Sequence, residues 1–288
     1  EKQCSEKKRT IDLINKWAGM LFGKRYVEEC FPLSEKEAML ALIQEVIATI
    51  KTSLATVGWM TPATRAKAVS KLAQLGVKVG FPDEWEAFDE LALDAEDSLL
   101  QQAIKVARFR AQKNFKSVIN TPTKKTKWFM TPQNANAYYD PQRHEICFPA
   151  AILQPPFYYK ALEDLEHVHF DLGEIPRDTP GLLDAVNCGS ICTVIAHEIV
   201  HGFDVNGSKF DGNGNLVDWW EDIDRERFNE RCVRMTKQIL TWKVDTEHGT
   251  CVQMNPEFVM GECLADVTGI SLALRVLLQR LERTSKKT

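Results

Sequence analysis

No two cysteines stand in a C-x-x-C pair anywhere in the 288 residues, so the commonest cysteine signature of a structural metal site is missing. No uninterrupted apolar run approaches the 18 or more residues of a membrane-crossing helix. There is no surplus of basic charge either. The net charge is −4 and the pI about 5.9, which argues against nucleic acid or an anionic membrane surface as the main partner. The chain opens at Glu1 on a charged stretch instead of an apolar signal core, and its start therefore reads as internal. Internal repeats and low-complexity tracts are absent as well. What remains is 44% hydrophobic and 26% charged residues, an ordinary globular composition with ample core for one or two domains. Lys124, Lys125 and Lys127, and the basic end over residues 280–287, read as solvated surface.

The first hundred residues read as helical. Leu40, Ile43, Ile47 and Ile50 recur at helical spacing, and Ser34 with Glu37 forms an S-x-x-E capping box that would open this helix. Thr61 followed by Pro62 marks another start, with the helix ending near Gly76. Residues 77–82 read as a short extended piece, and residues 94–114 as a third helix. The pattern breaks into Thr, Lys and Pro over residues 116–131, which places a domain boundary at 115/116. A hairpin follows, with strands over 135–139 and 145–148 about a turn at Asp140, Pro141, Gln142 and Arg143. Residues 181–203 form a long helix whose Ile191, Val194, Ile195 and Ile199 bury one side, and residues 258–281 form another. Between them, Asp211-Gly212-Asn213-Gly214-Asn215 lacks the spacing and terminal Glu of a calcium loop and reads as turn chemistry.

The most informative stretch is His197-Glu198-Ile199-Val200-His201. Residues four apart share one helix face, so both imidazoles can reach one metal ion. Glu198, one helical step round, sits beside that point, where a base for an activated water belongs. A hydrolytic zinc site takes three protein ligands and keeps one position open. Glu262, in Gly261-Glu262-Cys263-Leu264-Ala265-Asp266, is the third ligand expected, and Asp266 is placed one turn later to hold a ligand imidazole. Asp204 is open between two readings, ligand orientation and a helix-end turn residue. His144, His167, His169 and His248 read as surface residues.

Other stretches extend the likeness. Asn134-Ala135-Asn136-Ala137-Tyr138-Tyr139-Asp140-Pro141 runs on through Glu145 to Phe157, and Gly202-Phe203-Asp204 and Leu216-Val217-Asp218-Trp219-Trp220 follow the first metal motif. In that order these resemble the neprilysin-type (M13) zinc metallopeptidases. The resemblance runs from near residue 1 to about residue 275. It departs at Val200, where many relatives carry Thr, and at Cys263 and Leu264, where Asn and Ile are commoner, sparing every ligand position.

The resemblance implies a mainly α fold with a small β-sheet: a thermolysin-like (gluzincin) catalytic core over 116–288, preceded over 1–115 by part of a second helical domain. It implies one zinc ion per chain on His197, His201 and Glu262, Glu198 and Asp266 as catalytic residues, and Asn136 and Ala137 as the pair that holds an extended peptide. It implies peptide substrates and an extracellular or cell-surface location, with any membrane anchor upstream of this chain. The relatives are longer at both ends, and their tails supply an oxyanion-binding His and a substrate-binding Arg. A piece truncated at both ends, zinc- and peptide-binding with weak or no turnover, is therefore the competing expectation. Eight cysteines suit an extracellular protein. The family pattern would pair Cys4 and Cys232 with partners outside this chain, whereas Cys188 and Cys192 read as two small buried apolar residues.

Overall fold

A computed structural model describes residues 5–119, 124–167, 173–246 and 249–286, with side chains 166 and 167 left out. Helix α1 (Glu6–Cys30) starts at Ser5, whose hydroxyl accepts from the Lys8 amide, and bends at Ala18. Helix α2 (Leu33–Thr56) begins one residue before Ser34, on Pro32, and has no side-chain cap. The capping box expected at Ser34 and Glu37 is thus not formed. Pro32 stops the preceding chain from being helical and places Ser34 inside the first turn. Helix α3 (Pro62–Ala73) starts as expected, with Thr61 accepting from the Thr64 amide at 3.3 Å.

Strand β1 (Gly76–Gly80) follows, and α4 (Leu99–Val118) opens on a capping box between Ser98 and Gln101. The start expected at residue 94 is five residues early because Asp94 closes its own turn, its carboxylate accepting from the Glu96 amide. Strands β2 (Tyr138–Asp140) and β3 (Glu145–Pro149) form the expected hairpin, with β2 shorter and later than the sequence suggests. The extended piece at 77–82 also joins this sheet. β1 pairs parallel with β3, aligning Val77 with Ile146, and β2 pairs antiparallel on the other side. The order β1-β3-β2 leaves β2 as an edge.

A short helix α5 (Asp164–His167) leads towards α6 (Leu182–Asn187), a π turn (Cys188–Cys192) and α7 (Thr193–Val200), which together make the long helix expected at 181–203. Then come α8 (Asp222–Ile239), a small hairpin of β4 (Lys243–Asp245) and β5 (Cys251–Gln253), and α9 (Pro256–Ser285). The architecture is mainly α with two small sheets. One cluster of buried side chains joins Ile43, Val46 and Ile50 of α2 to Ile146 and Phe148 of β3, Ile195 and Ile199 of α7, and Leu272 and Val276 of α9. By length and composition alone, Leu33–Thr56 and Leu182–Val200 each hold an 18-residue window apolar enough on average to cross a membrane, although polar residues interrupt both.

Asp224, fully buried on α8, ties this helix to the start of α3. Its carboxylate accepts from the Thr61 amide at 2.9 and 3.0 Å and from the Thr61 hydroxyl at 2.6 Å, with Arg227 at 3.1 Å. Burial by itself would raise this carboxyl, but the bonds from Thr61, Thr64 and Arg227 outweigh it and leave it below the usual range. Asp224→Ala should cost about 1–3 kcal/mol by stranding buried donors, measurable by denaturant unfolding at neutral pH. The sign of the pH dependence follows from the lowered value. The wild-type contribution is complete above about pH 4 and is lost as pH falls through the folded-state pKa. Wild type and variant should therefore converge in acid.

Candidate metal centre

Helix α9 reaches the metal motif because its inner face is built of small residues. Gly261, Ala265, Gly269 and Ala273 recur every four positions, and Ala265 and Ala273 are buried. At Gly269 a Cβ would stand 3.1 Å from the His197 amide nitrogen and 3.2 Å from the Thr193 carbonyl oxygen. The two backbones are therefore almost in contact, and Asp266 and Glu262, one and two turns before Gly269 respectively, are carried up to the imidazoles of His197 and His201.

The three expected ligand atoms face one point. His197 Nε2 and His201 Nε2 lie 2.9 Å apart, and Glu262 Oε2 is 3.3 Å from the first and 3.7 Å from the second. Tetrahedral bonds of about 2.05 Å would hold such atoms ~3.3 Å apart, in the middle of that range. Each Nδ1 is engaged elsewhere, His197 with Asp266 Oδ1 at 2.8 Å and His201 with Asp204 Oδ2 at 2.8 Å. A carboxylate on Nδ1 keeps the proton there, so both Nε2 lone pairs point at the shared position. The donor set thus fits a zinc ion.

Asp204 performs both tasks the sequence left open. Its Oδ2 holds His201, while its Oδ1 accepts from the Asn206 and Gly207 amides at 2.7 and 2.8 Å and so shapes the turn after the helix. Burial alone would lower the His201 imidazole, but the Asp204 carboxylate outweighs it and raises it.

Glu198 is 8% exposed and lines the same cleft of about 520 Å³. Burial pushes its carboxyl above the usual range, against the opposing pull of His201 and His197. The cleft is bordered on one side by Asn136, Ala137, Tyr138 and Tyr139, the approach to the β2 edge. Asn136 is exposed, and its carboxamide oxygen turns back to accept from the Ala137 amide at 2.9 Å, with Ala137 itself buried. Four carboxylates, Glu198, Asp204, Glu257 and Glu262, line the cleft, and among the described residues no Lys or Arg lines it. Such a field favours a bound cation.

His144 corrects the sequence reading. It is 1% exposed, not at the surface, and its ring spans from the Tyr139 hydroxyl at 3.0 Å to the Lys71 carbonyl oxygen at 2.7 Å. Its φ of +48° turns the hairpin inward, something no local pattern announces for a His. The side chain of His167 is not described, and His169 and His248 lie outside the described residues. The calcium-like loop closes on itself: Asp211 Oδ1 accepts from the Asn213 and Asn215 amides, the bonding that turn chemistry requires. Among the described residues seven cysteines are free thiols, Cys188 and Cys192 buried and Cys232 half-buried, while Cys4 lies outside them.

Residues 136–167 and 179–288 match a model described as Peptidase family M13, and residues 1–82 match a second model of the same description. The chain belongs to peptidase family M13. It is 30% identical over 279 residues to an endothelin-converting enzyme homolog of Locusta migratoria, covering 95% of this chain and 35% of that protein. A neutral endopeptidase of Lactococcus lactis is 33% identical, with coverages of 94% and 39%. Among solved structures, the Mycobacterium tuberculosis zinc metalloprotease Zmp1 in complex with inhibitor superposes with a TM-score of 0.80 at 36% identity, covering 97% of this chain and 39% of that one. The M13 chain described here thus spans little more than a third of the length of these relatives.

Proposed function

We propose that this M13 chain is the zinc-binding part of an endopeptidase that hydrolyses small peptides, with His197, His201 and Glu262 holding one zinc ion. The observation that carries this reading is the convergence of three ligand atoms from two helices within 2.9–3.7 Å of one another, beside a buried carboxylate. When bound, zinc supplies Lewis acidity, polarising a carbonyl and lowering the pKa of water towards 7.

The chain's own residues do the rest. Glu198 takes the proton of the attacking water and delivers it to the departing amine nitrogen, the work of a general base turned acid. Asp266 and Asp204 hold the two imidazoles in the tautomer that leaves Nε2 unprotonated. The segment at Asn136 and Ala137 holds the substrate as an added strand beside β2, where backbone bonding tolerates many side chains. Asn136 would swing its carboxamide from the Ala137 amide to the peptide.

Two finer statements go with this reading. The fold is taken as a thermolysin-like core with part of a second helical domain, divided at 115/116, which falls between the stretches matched by the two family models. An extracellular or cell-surface location is supported by likeness to the human membrane metallo-endopeptidase-like 1, 30% identical with coverages of 92% and 32%. The second reading, a binding unit with weak turnover, is favoured by the exposure of Glu262 and Asp266, whose side chains are 64% and 66% accessible.

The test is metal analysis followed by cleavage of a fluorogenic peptide with and without chelator. One zinc per chain with chelator-sensitive cleavage supports the peptidase; one zinc and no cleavage supports the binding unit. No zinc uptake rejects both. Asp266→Asn should weaken zinc binding by about 10–100-fold without unfolding the chain, read by competition against a chromophoric chelator.

A further inference from the structure

Lys71 lies on α3, remote in sequence from both metal motifs, yet its side chain ends beneath the turn that leaves the second metal-binding His. It is 2% exposed. Its ammonium donates to the carbonyl oxygens of Gly202 at 2.6 Å, Gly207 at 2.8 Å and Phe210 at 2.6 Å. Three donors meet three acceptors, so the group is fully satisfied without a carboxylate in direct contact. The rings of Phe203 and Trp219 close over it at 5.4 and 5.5 Å. Burial draws this ammonium down to about 8, opposed by Asp211 and Asp204.

The segment so gathered is tightly folded. At Gly207 a Cβ would come within 1.8 Å of the His201 carbonyl oxygen, so this crossing admits only glycine. Asp204 sits inside the loop, 4% exposed, anchored by the Asn206 and Gly207 amides and bonded to His201 Nδ1. The Gly207 amide that anchors Asp204 and the Gly207 carbonyl held by Lys71 belong to one residue. A displacement at the ammonium therefore passes directly to the carboxylate that aims the ring.

We propose that Lys71 is a positioning residue of the metal centre: it clamps residues 202–210 so that Asp204 holds the His201 imidazole with Nε2 turned to the metal. The inference rests on the reading of His197, His201 and Glu262 as a zinc site. It places a determinant of metal affinity in the part of the chain that carries no ligand.

The test is a double-mutant cycle on zinc affinity, measured on the whole chain by chelator competition. Lys71→Met keeps the stem and removes the donors. It should weaken zinc binding by about 10–100-fold, as removing a ligand's outer partner does. Asp204→Asn should lose a similar factor, and the double variant should bind within about threefold of Asp204→Asn alone, because both act through one route. A purely structural lysine would lower the melting temperature and leave the affinity of the folded protein unchanged. An affinity for Lys71→Met within about twofold of wild type, or losses that multiply in the double variant, overturns the proposal. If Lys71→Met does not fold by circular dichroism, Lys71→Gln, which keeps two donors, is measured against the same criteria. Failure of both to fold makes Lys71 a requirement of the core and also overturns it. A wild-type chain that takes up no zinc rejects the zinc reading itself, an outcome separate from unchanged affinity in the lysine variants.

Discussion

Glu198→Gln is expected to leave one zinc bound per chain and to lower peptide cleavage by about 10²–10⁴-fold, the usual contribution of a positioned general base. The substitution keeps volume and planarity and removes only the capacity to accept a proton. Glu198 is not among the three atoms that converge on the metal position, so metal content should not change. Its near-complete burial beside His197 and His201 is what makes the effect large. Metal analysis and the fluorogenic assay on the same preparation check the result. A variant that loses zinc, or one that cleaves at the wild-type rate, would remove Glu198 from the assigned role.

His201→Ala should abolish stoichiometric zinc binding, and with it the effect of metal on stability. Two ligands remain, His197 and Glu262, with no third atom to close the tetrahedral set. Asp204 would also lose the ring it holds, leaving a buried carboxylate anchored to its own turn without its outward partner. Zinc held by the folded state alone stabilises it by about 4 kcal/mol when the free ion is a thousandfold above Kd. Adding a chelator should therefore lower the melting temperature of the wild type and leave that of His201→Ala unmoved. Equal chelator sensitivity in the two proteins would mean that any bound zinc sits elsewhere.

Much of the fold was legible because its signals are local. The start of α3 at Thr61 and Pro62, the hairpin and the long helices each follow from spacing or from one capping residue. The errors have local causes too. Pro32 overrode the capping box at Ser34, and Asp94 spent its carboxylate on a turn instead of a helix start. Helix α8 and the β4–β5 hairpin were not legible: the hairpin is exposed throughout, and α8 turns inward a stripe that is mostly only half-buried, with charged and polar residues such as Arg227, Arg231 and Thr236 on it. One further local signal lies on α9. The small residues at 261, 265, 269 and 273 announce a face made for close approach, and it is that face which meets α7.

The amino-acid sequence by itself determined the chemistry available: two imidazoles one turn apart, a carboxylate beside them, and a Glu and Asp paired at helical spacing on a later segment. Helical repeat alone puts each set on one face, whatever the rest of the chain does. Only tertiary packing decided that the two sets meet and that His144 and Lys71 lie buried. Those outcomes depend on contacts between residues 69 to 139 positions apart. No local periodicity encodes such a meeting. It is settled by which apolar faces bury each other and which buried donors find acceptors.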